Sequence, residues 1–235
     1  MHNRRTSAGT ARSRDLERTR GKILAAALSE FVARGFDGSR TKAIARRARV
    51  HEWMVFYCFK SKRDLYREVL RQELAQRTRL IAELPEDFPD AVETAFKSFA
   101  RNRDVLRLFQ WEALTARKGE LITAAPERRD AFRQGSAWLQ GLQRAGVLPA
   151  NLDLVLFRLA IVALGSFPFA FPQMVELAAG VEPTDPSFQQ RWTAVLRWFV
   201  ERALSEPAEE LAPAEPAPTV SARAAEAHEH LKGES

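Results

Sequence analysis

The sequence predicts an all-α protein of about nine helices, and three observations predict it. Apolar side chains recur every three to four residues along most of the chain. No stretch of useful length alternates apolar and polar residues as a half-buried strand would, and no internal repeat is visible. Glycines and prolines stand at the ends of the periodic segments, where helices stop and start.

The elements follow in order. Residues 1–14 are basic and poor in apolar side chains, and read as a flexible arm. Residues 15–34 carry Ile23, Leu24, Ala27, Leu28 and Phe31 on one face, with Gly35 as the stop signal. Short helices follow at 41–48 and 52–59, separated by Arg49-Val50-His51. Ser61 caps a long helix over 62–84 with a stripe of Leu65, Val69, Leu70, Leu74 and Ile81. Further helices are expected over 89–100, with Pro89 in its first turn, and over 103–116 and 126–145. A stretch over 151–180 is broken by Phe167-Pro168-Phe169-Ala170-Phe171-Pro172, since interior prolines kink a helix. A last helix runs over 185–204. From 205 to 235 the chain turns to Ala, Pro and Glu and reads as a disordered tail. The domains expected are thus 15–61 and 62–204, between an arm and a tail.

Composition narrows the chemistry. Of 235 residues 46% are apolar, enough for an ordinary core. No apolar run reaches the ~18–20 residues that span a bilayer, and the basic first twenty residues lack a signal-peptide core, so the expected location is cytoplasmic. The only cysteine is Cys58, and the histidines are His2, His51, His228 and His230. Between Phe59 and Ala227 no His or Cys is available for a zinc site or a Ser-His or Cys-His pair. No phosphate-cradling loop is present, so no cofactor, no metal and no enzyme is expected.

Charge is divided unevenly. Residues 1–63 hold sixteen Lys/Arg against five Asp/Glu, a net of +11; with +6 overall, the rest sums to −5. A basic module joined to a mildly acidic one suits a polyanion partner for the first only, although a solvated basic face gives the same numbers. The two short helices and their three-residue turn have helix-turn-helix spacing. Val50, Val55 and Phe59 can pack on Ile44, Ala45 and Leu28, which leaves His51, Glu52, Trp53, Met54 and Tyr57 on or near the outward side. In such a motif the second helix enters the major groove, and surrounding Lys and Arg neutralise phosphates.

These residues resemble a known family. Ile23-Leu24-Ala25-Ala26-Ala27, Phe31, Gly35-Phe36-Asp37, Ile44-Ala45-Arg46-Arg47-Ala48, Val50, Phe59-Lys60-Ser61-Lys62 and Leu65 are similar in order, spacing and type to the TetR/AcrR regulators over roughly fifty positions. Phe109-Gln110-Trp111-Glu112-Ala113-Leu114, the Phe-Pro-Phe-Ala-Phe-Pro segment and Thr184-Asp185-Pro186-Ser187-Phe188 resemble C-terminal domains of one branch. The resemblance implies a homodimer that binds a two-fold symmetric double-stranded DNA operator, usually as a repressor, and releases it when a small, often apolar ligand enters the helical domain. It implies that Lys62 is a phosphate-binding lysine and that Lys42 lies where relatives touch the backbone. The DNA-facing set is then Lys42, Arg46, His51, Glu52, Trp53, Met54, Phe56, Tyr57, Lys60 and Lys62.

Several positions depart from the family pattern. Arg49 stands where Gly is usual; in a positive-φ turn it costs about 1 kcal/mol or forces another turn. His51 replaces a Ser or Thr cap, so that cap should be weaker. Met54, Phe56 and Cys58 replace a Thr, a Tyr and a His. These departures support an alternative, a helical ligand-binding or interaction module with a degenerate, non-specific helix-turn-helix.

Other features carry two readings each. Trp53 reads equally as a contact to thymine methyls or as a local core aromatic. Cys58 reads as a half-buried helix residue or as a redox sensor in basic surroundings. Arg4, Arg5, Arg12 and Arg14 suit a minor-groove arm or a solvated one. His228-Glu229-His230 invites a metal but lacks further ligands. In the helical domain, Phe99, Arg103, Arg107, Trp111, Glu112, Arg133, Trp138, Phe167 and Phe171 are the expected pocket wall, beside the gap a kinked helix leaves. The last two helices carry apolar faces, Leu152, Leu156, Leu159, Val162 and Ala163 against Trp192, Val195, Leu196 and Phe199, that suit a two-fold interface.

Overall fold

A computed structural model describes the backbone of residues 4–115 and 123–205, with side chains from residue 13 onward. The described residues form ten helices and no strand: α1 (Arg4–Gly38), α2 (Thr41–Ala48), α3 (Glu52–Phe59), α4 (Lys62–Ala82), α5 (Phe88–Arg101), α6 (Arg103–Thr115), α7 (Ala125–Arg144), α8 (Leu154–Ala170), α9 (Pro172–Ala179) and α10 (Pro186–Ser205). The tail over 206–235, with its His228-Glu229-His230, lies outside the described residues, as do the side chains of Arg4, Arg5 and Arg12.

The first helix is longer than its apolar stripe. It begins at Arg4, so residues 4–14, expected as a flexible arm, continue α1. Arg and Ala are strong helix formers, and such a stretch extends a helix already nucleated by packing further along. Near its other end Gly35 leaves helical geometry with φ 66° and turns the chain toward α2. Ile23, Leu24, Ala27 and Phe31 are buried against Ile44, Ala45, Val55, Phe59, Leu65, Val69 and Leu70 in one cluster. The first half of α4 is therefore core to the N-terminal head, and the second half carries on into the helical domain. Ser61 caps α4 as expected, its hydroxyl accepting from the Asp64 N–H at 3.0 Å.

A second cluster unites α5, α7, α8 and α10 through Phe88, Phe96, Phe99, Leu139, Phe169, Leu196 and Val200. Asp87 caps α5 and Asp153 caps α8, each carboxylate accepting backbone N–H groups of the first turn. The proline-rich segment departs from expectation in detail. Pro168 sits inside α8 and is buried there; the break falls at Phe171, and α9 starts on Pro172. The tenth helix arises from that break. No single helix among the described residues is long and apolar enough to cross a membrane; α8 and α9 together reach that length and composition but are bent by 78°.

Candidate nucleic-acid interface

The turn between α2 and α3 takes a left-handed residue that is not glycine. Arg49 occupies the left-handed region with φ 57° and ψ 46°, and its N–H reaches the Arg46 carbonyl at 3.2 Å. Val50 N–H then bonds Ala45 O at 3.0 Å and closes the α2 end. Lys60, at the other end of α3, also holds positive φ. His51 makes no side-chain cap, as expected of an imidazole at that place. The first turn of α3 is instead tied to α2 by Thr41, whose hydroxyl donates to Glu52 Oε1 at 2.6 Å.

Helix α3 buries Val55 and Phe59 and turns Trp53, Phe56 and Tyr57 outward, with exposures of 58%, 44% and 66%. Trp53 thus faces out, and the reading as a core aromatic is set aside. It meets Tyr57 one turn on, edge to face, with centroids 6.1 Å apart. Met54 and Cys58 are half-buried against the head's core. Lys42, Arg46, His51 and Lys60 are exposed around this face. Burial raises the Cys58 thiol pKa against the lowering effect of Arg20, so the basic surroundings do not activate it.

Two basic residues hold the head together. Lys62 donates from Nζ to the carbonyls of Phe36 at 2.8 Å and Ser39 at 3.1 Å, and stands 4.5 Å over the Phe36 ring. It fastens the α1–α2 loop to the start of α4. Arg20 was not singled out from the sequence. Its guanidinium lies 4.4 Å over the Phe59 ring, donates to the Cys58 carbonyl at 3.1 Å and pairs with Glu68 at 3.3 Å. It clamps α3 to α1 and α4. Only its place on the apolar edge of α1 hinted at this.

The expected pocket residues are scattered. Trp111 and Arg107 leave the helical domain's interior and donate to Val32 O of α1 at 3.0 and 3.3 Å. Glu112 pairs with Arg128 at 2.7 Å, beneath the head. Arg103 is exposed, and Arg133 pairs with Asp130 on the surface. Phe167 and Phe171 meet each other, half-exposed, with tilted rings 5.3 Å apart. Only Phe99 and Trp138 stay together in the second core cluster. Two cavities lie elsewhere: about 360 Å³ between α4 and α5, lined by Arg79, Glu83, Lys97 and Arg101 among others, and about 200 Å³ between α1 and α4 beside Glu73. Both are grooves in the helix surface that no stripe pattern marks.

Of the expected dimer face, Leu156, Leu159, Val195 and Phe199 are exposed, and Val155 and Trp198 join them. Leu196 is buried and Trp192 stacks on Phe188, so these two belong to the core.

A helix-turn-helix head with an outward aromatic and basic face, set on an all-helical body, defines a DNA-binding transcriptional regulator. Residues 23–69 match the model of the bacterial regulatory proteins of the tetR family, and residues 86–200 that of the tetracyclin repressor-like C-terminal domain. The chain belongs to the TetR family of transcriptional regulators. It is 26% identical to the HTH-type transcriptional repressor SCO4008 of Streptomyces coelicolor over 72% of this chain and 87% of that one. It is 31% identical to the HTH-type transcriptional regulator RutR of Escherichia coli K12 over 75% and 86%. In structure it resembles the transcriptional-regulator candidate SCO4942 of Streptomyces coelicolor, with TM-score 0.67 and 29% identity over 80% of this chain and 99% of that one.

Proposed function

We propose that the protein is a repressor that binds a palindromic operator as a homodimer and leaves it when a small, largely apolar molecule enters the helical domain. The observation that carries the reading is the outer face of α3, where Trp53 and Tyr57 stand exposed in a head that also exposes Lys42, Arg46 and Lys60. Exposed aromatics at successive turns of a recognition helix suit base edges and thymine methyls, and the cations suit phosphates. Arg49 in left-handed geometry supports a working turn over a degenerate one. The exposed apolar strip of Leu156, Leu159, Val195, Trp198 and Phe199 supports pairing of α8 and α10 with a second copy.

The test is selection of bound fragments from genomic DNA with the full chain, alongside its mass in solution. An enriched inverted repeat with half-sites about one helical turn apart, bound by a dimer with a steep salt dependence, is the expected result. Weak, uniform retention of every sequence would leave the degenerate-module alternative standing in its place.

A further inference from the structure

We infer that Glu52 reads a cytosine in each operator half-site, its carboxylate aimed by the hydroxyl of Thr41. The inference rests on the reading of a palindromic operator and names a base within it.

Helix α3 carries one charged side chain, and it is acidic: Glu52, the first residue of Glu-Trp-Met-Val-Phe-Tyr-Cys-Phe. Glu52, Trp53, Phe56 and Tyr57 are all exposed, and their spacing of i, i+1, i+4 and i+5 places them on one face of the helix, while Val55 and Phe59 are buried in the head's core. Among the described residues Glu52 is in no ion pair, although sixteen Lys/Arg lie within residues 1–63. Its partner is neutral. The hydroxyl of Thr41, the first residue of α2, donates to Oε1 at 2.6 Å. That bond ties the beginnings of two helices, fixes the direction of the carboxylate and leaves Oε2 without a partner among the described residues.

Such a group adds nothing to phosphate affinity. A carboxylate beside a polyanion is repelled, and only a donor on a base edge offsets that cost. In the major groove the donors are the amino groups of cytosine and adenine. Adenine sets its amino group beside the N7 acceptor, which repels the second oxygen of a carboxylate. Cytosine offers its amino group with no acceptor of its own beside it. An acceptor-only side chain therefore selects cytosine, whereas glutamine, with an acceptor and a donor, suits adenine. A bond that served only to tie α2 to α3 would hold as well with glutamine at 52, whose amide oxygen also accepts from Thr41. The choice of base separates the two roles.

The test is selection of bound duplexes from a randomised pool by the full chain, as wild type, Glu52→Gln and Thr41→Val. Wild type is expected to enrich an inverted repeat with cytosine at one fixed place in each half, and to bind about tenfold more weakly when thymine stands there. Glu52→Gln should select the same repeat with adenine in place of that cytosine, and should bind random DNA more tightly as a negative charge leaves the interface. Thr41→Val should keep the repeat with a smaller preference for cytosine over thymine. A wild-type repeat without a fixed cytosine in each half, a Glu52→Gln protein that still selects cytosine, or a Thr41→Val protein with the full wild-type preference would each overturn the inference. Enrichment of no repeat by the wild type would instead remove the operator reading beneath it.

Discussion

Trp111 donates its indole N–H to the carbonyl of Val32 at 3.0 Å, and its ring covers Gly35 of the same helix, α1. The chain leaves helical geometry at Gly35, and Arg107 of α6 donates to the same Val32 carbonyl at 3.3 Å. This contact joins the helical domain to the head. A Cβ at Gly35 would stand 3.0 Å from the Trp111 ring on a backbone of φ 66°. Gly35→Ala is therefore expected to destabilise by about 1–3 kcal/mol, through positive φ and overpacking together, read by chemical unfolding. A neutral effect would mean the contact is not formed.

Arg49 is the converse case. It holds φ 57° without glycine. Arg49→Gly should raise stability by about 1 kcal/mol, because the left-handed strain disappears. Removing one exposed cation from the head should also lower DNA affinity at low salt. Loss of stability in that variant would contradict the turn geometry.

Lys62 spends two of its donors on the carbonyls of Phe36 and Ser39. Lys62→Met is expected to weaken every DNA sequence alike and also to lower stability by about 1–3 kcal/mol, as the carbonyls lose a charged donor. A uniform loss of affinity at unchanged melting temperature would give the lysine to the phosphate alone.

Among the described residues, neither the Trp53 nor the Tyr57 side chain makes a hydrogen bond, and their rings meet each other. Replacing Trp53 by Ala should alter the preferred bases in a selection experiment, while Lys42→Ala should lower affinity evenly across sequences. The same even loss for Trp53 would count against base readout.

Tyr66 lies under the head with its ring edge-on to Phe31 at 4.9 Å, and burial first, then Glu112, pushes its pKa up to about 12. The unfolded phenol ionises near 10, so the folded state holds its proton longer as pH rises. This contribution, about 3 kcal/mol on a shift of about two units, is complete below pH ~10 and is lost between pH ~10 and ~12. Tyr66→Phe should flatten stability across that window, measured by unfolding at pH 9 to 12.

The head was legible in the sequence because its constraints are local. The stripe of Ile23, Ala27 and Phe31, the Gly35 stop and the Ser61 cap each act within a few residues. Pro168 was harder to place: the proline signature gives a break, while tertiary packing decided that Pro172 rather than Pro168 would begin the new helix. The length of α1 escaped because a helix extended from a packed one needs no stripe of its own. The pocket wall was the least legible part. Trp111, Glu112 and Arg107 fall on α6, and whether that helix meets the head or the domain interior depends on contacts some 75 to 79 positions apart. Arg20 is one more arginine along a helix in the sequence, and only the third dimension shows it as a clamp.

Arg20 fixes α3 at its far end to two other helices at once. The recognition helix is thereby denied a swing of its own, and the head moves as a single tool. In the proposed dimer, a ligand would then alter the gauge between two such tools and not the shape of either. An operator lengthened by one base pair between its halves would tell such a mechanism from one that disassembles the reading helix, because only the former trades spacing against ligand.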